Sequence, residues 1–125
     1  MFGAFTLPIT FVLSLIAANL FYDPRPFMVS HVAPLIAHEP SNGFPSHHTI
    51  LAVALAVIVF RYSRRVGTIF FGFALIVGFS RVLAGVHHVI DVIAAITIAA
   101  IVALLVDRMM KHVNKNKPKE SHGSL

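Results

Sequence analysis

Residues 66–107 read VGTIFFGFALIVGFSRVLAGVHHVIDVIAAITIAAIVALLVD. Positions 66–80 and 92–106 carry no Asp, Glu, Lys or Arg, and Arg81, the Gly85 break and Asp91 lie between them. Each uncharged run is 15 residues long, so each needs polar flanks inside the helix ends to cross a bilayer that takes roughly 20 residues of helix. That reading gives two apolar helices, about Val66 to Leu83 and about His87 to Arg108, folded back on each other at Gly85.

Working outward, residues 1–22 and 40–60 are also free of charge. They predict a helix from about Thr6 to Tyr22, ended by Pro24 and Pro26, and another from near Ser46 to about Tyr62. Ser46, following Pro45, is placed as its N-cap. Residues 23–45 form a long polar connection containing Pro34, Pro40 and Gly43. A connection of that length in so small a chain is usually functional or disordered. The expected fold is an all-α polytopic membrane bundle of about four transmembrane helices over residues 1–107, with a basic disordered tail at 108–125.

The composition agrees. Of 125 residues, 57% are hydrophobic and 12% charged, against roughly 25% charged in a soluble domain. The mean hydropathy is +0.81. There is no cysteine, so thiolate and disulfide chemistry are excluded. The net charge is +5, but no zinc-finger spacing or basic–aromatic stripe points to nucleic acid. The N-terminal run lacks the basic start of a signal peptide and exceeds its usual apolar core of about 7–15 residues, so it is read as a helix that stays.

Four spans put the 61–65 turn and the tail on one side of the membrane, and the 23–45 loop and the Gly85 turn on the other. The first side holds Arg61, Arg64, Arg65, Arg108, Lys111, Lys115, Lys117 and Lys119; the second holds only Arg25 and Arg81. The excess of basic residues assigns the first side to the cytoplasm and the second to the outside. The outer side also gathers His31, His38, His47, His48, His87 and His88 with Asp23, Glu39 and Asp91. Ionisable groups beside a bilayer are costly, and they tend to be paired and functional.

Within that cluster, His87 and Asp91 are four apart and share a helical face. A carboxylate on Nδ1 fixes the imidazole tautomer and leaves Nε2 bare as a base, nucleophile or metal ligand. Arg81 and Arg25 offer planar forks suited to phosphate oxygens. Ser46 and the start of the following helix add anion-binding donors, and His48 in that first turn is a proton donor for a leaving oxygen. This set is suited to phosphoryl transfer, which rests mainly on placement and charge stabilisation.

Three segments resemble the motifs of the type 2 phosphatidic acid phosphatase superfamily of membrane lipid phosphatases. They are Arg25-Pro26, Pro45-Ser46-His47-His48, and Ser80-Arg81 followed after five residues by His87 and after three more by Asp91. The third match is complete in type and spacing. The second departs only at His47, where glycine is usual, and the Lys expected seven residues before Arg25 is Ala18. Phe27 and Phe44 are similar to the bacterial undecaprenyl-diphosphate phosphatase subgroup of the bacitracin-resistance type. The resemblance implies His87 as a nucleophile forming a phospho-histidine, Asp91 orienting it and His48 as the acid. It implies Arg25, Arg81, Ser46 and His47 as phosphate contacts, with no metal and no cofactor. It further implies a multi-pass protein of the bacterial inner (plasma) membrane, with an outward active site, a cytoplasmic tail and a lipid phosphate substrate. The family usually has six helices, with three before Arg-Pro; one precedes it here, as in an N-terminally shortened member, and oligomerisation is left open.

Two competing readings stand beside this one. His47-His48 and His87-His88 with Asp91 could ligate zinc, although two arginines at the same place favour an anion. A shortened, inactive paralogue that binds lipid phosphate is the other. Taken singly, His31, His38, His47 and His88 are read as capping or interfacial groups, and Arg61, Arg64 and Arg65 as snorkelling residues.

Overall fold

A computed structural model describes residues 1–116. The described residues form five helices: α1 (Phe2–Leu20), α2 (Pro26–Ser30), α3 (His47–Tyr62), α4 (Arg64–Leu83) and α5 (Val89–Lys115). The described residues contain no strand, only a single bridge between Pro24 and Asn42. Helices α1, α4 and α5 are long and apolar enough to cross a membrane, and α3 is shorter at 16 residues.

Helix α3 is the hub and packs against α4, α5 and α1, while α4 barely meets α5. The core is built from small and branched residues: Ile50, Val53, Ala74, Ala95 and Ala99 at one level, and Phe2, Val102, Ala103 and Val106 at the other. Small side chains let helices approach closely, and in lipid that van der Waals contact is the main source of association. Where α4 touches α5, a Cβ on Gly78 would stand 2.8 Å from Val92 Cγ1. Helix α1 turns Thr6, Thr10 and Ser14 inward, and each hydroxyl donates to a carbonyl of its own helix at 2.7–2.8 Å. These buried polar groups are thereby satisfied without water.

Several expectations are corrected. The 61–65 turn shrinks to Ser63, which ends α3 and caps α4, accepting from Val66 N. Such a tight hairpin is possible because residue 67 is glycine: a Cβ there would lie 2.2 Å from Phe60 Cα. The fourth predicted helix does not begin at His87 or stop at Arg108. His88 is the N-cap of α5, and the helix runs through Lys115, so residues 108–115 are ordered helix and not a disordered tail. An ion pair from Asp107 to Arg61 at 3.5 Å links this end to α3, and a second, from Asp107 to Lys111 at 2.6 Å, lies within α5. The rest of the expected tail lies outside the described residues. Helix α2, hidden inside the predicted 23–45 loop, starts where Pro26 pre-sets the helical φ after Arg25.

Two helix ends deliver the functional segments. Gly85 adopts φ 73° after α4, a left-handed conformation that glycine takes without penalty. Its N–H meets Val82 O, and the Val86 N–H meets Arg81 O, closing the end of α4 and turning the chain toward α5. The His88 backbone N–H then donates to Asp91 Oδ2 at 2.8 Å, which places a carboxylate at the electropositive start of α5.

Candidate active site

Four stretches converge at the end of the bundle opposite Ser63: the Asp23–Arg25 link, the 41–46 loop entering α3, the last turn of α4, and residues 86–91. Asp91 is fully buried and His87 is 3% exposed. His87 Nδ1 lies 3.4 Å from Asp91 Oδ2. Arg25 Nη1 lies 3.3 Å from His87 Nε2 and donates to Val86 O at 2.9 Å. A carboxylate only accepts and a guanidinium only donates, so one tautomer fits both contacts: hydrogen on Nδ1, lone pair on Nε2. The expected carboxylate–imidazole pair is therefore present. The expected bare Nε2 is not, because Arg25 reaches it.

Arg25 is itself tightly held. Its Nε donates to Ser41 Oγ at 3.2 Å and its Nη2 to Asn42 O at 3.4 Å. Burial and the nearby charge of Arg81 push the Arg25 guanidinium below its ordinary value, with Asp91 opposing the shift. It remains a cation at neutral pH. Arg81, near the end of α4, has a buried Nε without a partner among the described residues. Two like charges and an unspent donor in one enclosed place favour a bound anion, which would relieve the repulsion and take the donor.

Ser46 is fully buried at the start of α3. It occupies the expected N-cap position, but its hydroxyl pairs with Thr49 Oγ1 at 3.0 Å and caps no backbone N–H. Its own N–H donates to the backbone carbonyl of Asp91 at 3.2 Å, tying α3 to α5 at the site. His47 and His48 are exposed in the first turn of α3. His48 lies within electrostatic range of Arg81 and His87.

Sequence reading missed three supports. Asn42 Nδ2 donates to the Ala18 and Phe21 carbonyls at the end of α1, while its Oδ1 accepts from the N–H groups of Asp23 and Phe44. It ties α1 to the loop that delivers Ser46. His38, read as interfacial, belongs to the site's electrostatics: burial, followed by the charge of Arg25, pushes its imidazole below the ordinary 6.5. The third is a contact between Asp23 Oδ2 and His88 Nδ1 at 2.9 Å. These partners are far apart in sequence and follow no helical or strand period, so only the general clustering of polar residues on one side pointed toward them.

Asp23, His88 and Asp91 offer potential ligand atoms within 4.8 Å of one another. This set differs from the histidine pairs considered for zinc, and Arg25 beside Asp91 opposes a cation there. A cavity of about 390 Å³ lies at the other end of the molecule, between Met1, Phe5, Arg61, Asp107 and Met110, and no residue of the site lines it.

A model of the PAP2 superfamily matches residues 2–115. The chain belongs to the PAP2 superfamily. Among curated relatives, the undecaprenyl-diphosphatase BcrC of Bacillus subtilis is 33% identical over 75% of this chain and 49% of its own length. The bacitracin transport permease protein BcrC of Bacillus licheniformis is 35% identical over 76% of this chain and 47% of its own. The chain thus spans about half the length of the curated relatives it matches. Among solved structures, LpxE of Aquifex aeolicus superposes with a TM-score of 0.78 at 24% identity, covering 86% of this chain and 66% of that one. A PAP2-type phosphatidylglycerolphosphate phosphatase of Bacillus subtilis superposes at 0.72 with 25% identity, covering 92% and 60%. With its apolar helices and these membrane relatives, this PAP2 member is an integral membrane protein.

Proposed function

We propose that this PAP2 chain hydrolyses a lipid phosphate or diphosphate at the outer face of the membrane, through a phospho-histidine and without a metal. The observation that carries the reading is His87, oriented by Asp91 on Nδ1 and met by a guanidinium on Nε2. On substrate arrival, Arg25 and Arg81 take phosphoryl oxygens, which frees the Nε2 lone pair to attack phosphorus. The P–O bond to the leaving group breaks as the N–P bond forms, and protonated His48 gives its proton to the departing oxygen. Water then attacks the phospho-histidine, His48 accepts a proton, and phosphate leaves. Ser46 and His47 line the phosphoryl position at the start of α3.

Undecaprenyl diphosphate, cleaved to undecaprenyl phosphate and inorganic phosphate, is the favoured substrate because the Bacillus subtilis relative is named an undecaprenyl-diphosphatase. Phosphatidylglycerophosphate and phosphatidic acid are the second reading, favoured by the structural likeness to a phosphatidylglycerolphosphate phosphatase. The basic end carrying Arg61, Arg64, Arg65 and Lys111 faces the cytoplasm of a bacterial inner membrane.

The test is phosphate release from a panel of these lipids by purified protein and by His87→Ala, with and without chelator. Hydrolysis that resists chelator, yields to vanadate and drops at least about 10³-fold in the variant is expected. Unchanged hydrolysis by His87→Ala overturns the nucleophile. Loss of activity with chelator and recovery with zinc overturns the metal-free chemistry. No hydrolysis of any lipid identifies an inactive paralogue.

A further inference from the structure

Asp23 plays no part in the chemistry above, yet it is fixed at three points. Its N–H donates to Asn42 Oδ1 at 3.0 Å, its carbonyl accepts from Gly43 N–H at 2.8 Å, and its carboxylate meets His88 Nδ1 at 2.9 Å. Two residues later, Arg25 meets Val86 O and His87 Nε2. Segment 23–25 therefore lies along segment 86–88 and grips it at both ends, with His87 between the grips.

The grip reaches Asp91 as well. The His88 backbone N–H holds Asp91 Oδ2 at 2.8 Å, a better bond than the 3.4 Å contact the same oxygen makes with His87. The His88 ring also stands with the Asp23 and Asp91 carboxylates in a group whose ligand atoms lie within 4.8 Å. Two carboxylates at that range repel, and the His88 Nδ1 contact gives the Asp23 carboxylate a hydrogen-bond donor of its own. Gly43 forms the wall behind them: a Cβ there would stand 3.1 Å from Asp91 Oδ2 and 3.3 Å from Asp23 O.

We propose that Asp23 is a positioning residue for the His87 nucleophile, acting through His88. The Asp23–His88 pair fixes the register of Arg25 against His87 and keeps Asp91 on Nδ1. This inference rests on the proposed phosphatase reading.

The experiment compares Asp23→Asn, Asp23→Glu, His88→Ala and the double variant Asp23→Asn/His88→Ala with wild type and His87→Ala, in detergent at the pH of maximal wild-type turnover. Turnover of undecaprenyl diphosphate and binding of orthovanadate are measured on each. Asp23→Asn is expected to lower kcat about 10- to 100-fold with KM within about twofold, since attack geometry is lost while the binding charges remain. Asp23→Glu restores part of the rate. His88→Ala is worse than Asp23→Asn because it leaves the two carboxylates facing each other. The double variant is therefore more active than His88→Ala alone, a reversal that a purely structural tie does not produce. Wild-type kcat in Asp23→Asn, or a double variant no better than His88→Ala, overturns the proposal. If wild type turns over none of the lipids, the phosphatase reading fails on its own, and vanadate decides the clamp. Affinity is then expected to fall about tenfold in Asp23→Asn and to recover partly in the double variant relative to His88→Ala; unchanged affinity overturns it.

Discussion

Arg25 Nη1 stands 3.3 Å from His87 Nε2, the nitrogen that the proposed chemistry needs free. The same Nη1 donates to Val86 O, one residue before His87. In the proposed reaction, a phosphoryl group entering here competes with His87 for the guanidinium and releases the lone pair, so that substrate binding and exposure of the nucleophile become one event.

Replacing Arg25 with Lys keeps a positive charge and removes the fork. A lysine ammonium cannot serve Ser41 Oγ, Asn42 O and Val86 O while also meeting a phosphate. Arg25→Lys is expected to lower kcat/KM about 10²- to 10³-fold, measured as phosphate release over a substrate series. Activity near wild type would show that charge alone suffices at this position.

Asp91→Asn tests the tautomer. An amide can present its N–H₂ to Nδ1 and favour hydrogen on Nε2, which blocks attack. A drop of about 10²- to 10⁴-fold in kcat is expected. The fold should persist, because the backbone carbonyl of residue 91 still accepts from Ser46 N–H, and circular dichroism checks this.

His38 makes a pH prediction. Burial and Arg25 hold its pKa below the ordinary 6.5, so the folded state resists its protonation more than the unfolded state does. Above 6.5 the imidazole is neutral in both states and contributes nothing to pH dependence. As the pH falls through that value toward the lower folded pKa, the unfolded chain binds the proton first and stability is lost. His38→Gln should therefore flatten the fall in melting temperature on acidification below about pH 6.5 and leave stability at pH 8 nearly unchanged. An unchanged slope in the variant would contradict a lowered His38 pKa in the folded protein.

Gly67→Ala tests the hairpin between α3 and α4. Its Cβ would strike Phe60 backbone atoms at 2.2 and 2.5 Å, which cannot move without moving the helix. A loss of about 1–3 kcal/mol is expected, read as a lower melting temperature in detergent. Gly72→Ala is the control, since a Cβ at that position meets nothing within 4 Å.

The helices were legible from residue order alone. Uncharged runs, prolines and the Gly85 break place the four apolar helices to within about four residues except at the end of α5, which runs on to Lys115, because a chain in lipid must satisfy its backbone internally and has little choice but helix. The His87–Asp91 pair was expected from helical spacing, but His87 lies ahead of the His88 N-cap, and the two meet because the chain turns into α5 at that point. The tail was misread where Asp107 pairs with Arg61 and Lys111, because a run of polar residues does not reveal that its first two turns continue a helix held to α3.

What only the tertiary structure decided is how the separate stretches meet. Arg25 on His87, Asp23 on His88 and Asn42 on the end of α1 join residues 62, 65 and up to 24 positions apart. No period links such positions. They come together because close packing around α3 brings the ends of all four long helices to one place, where the buried polar groups must find partners in one another.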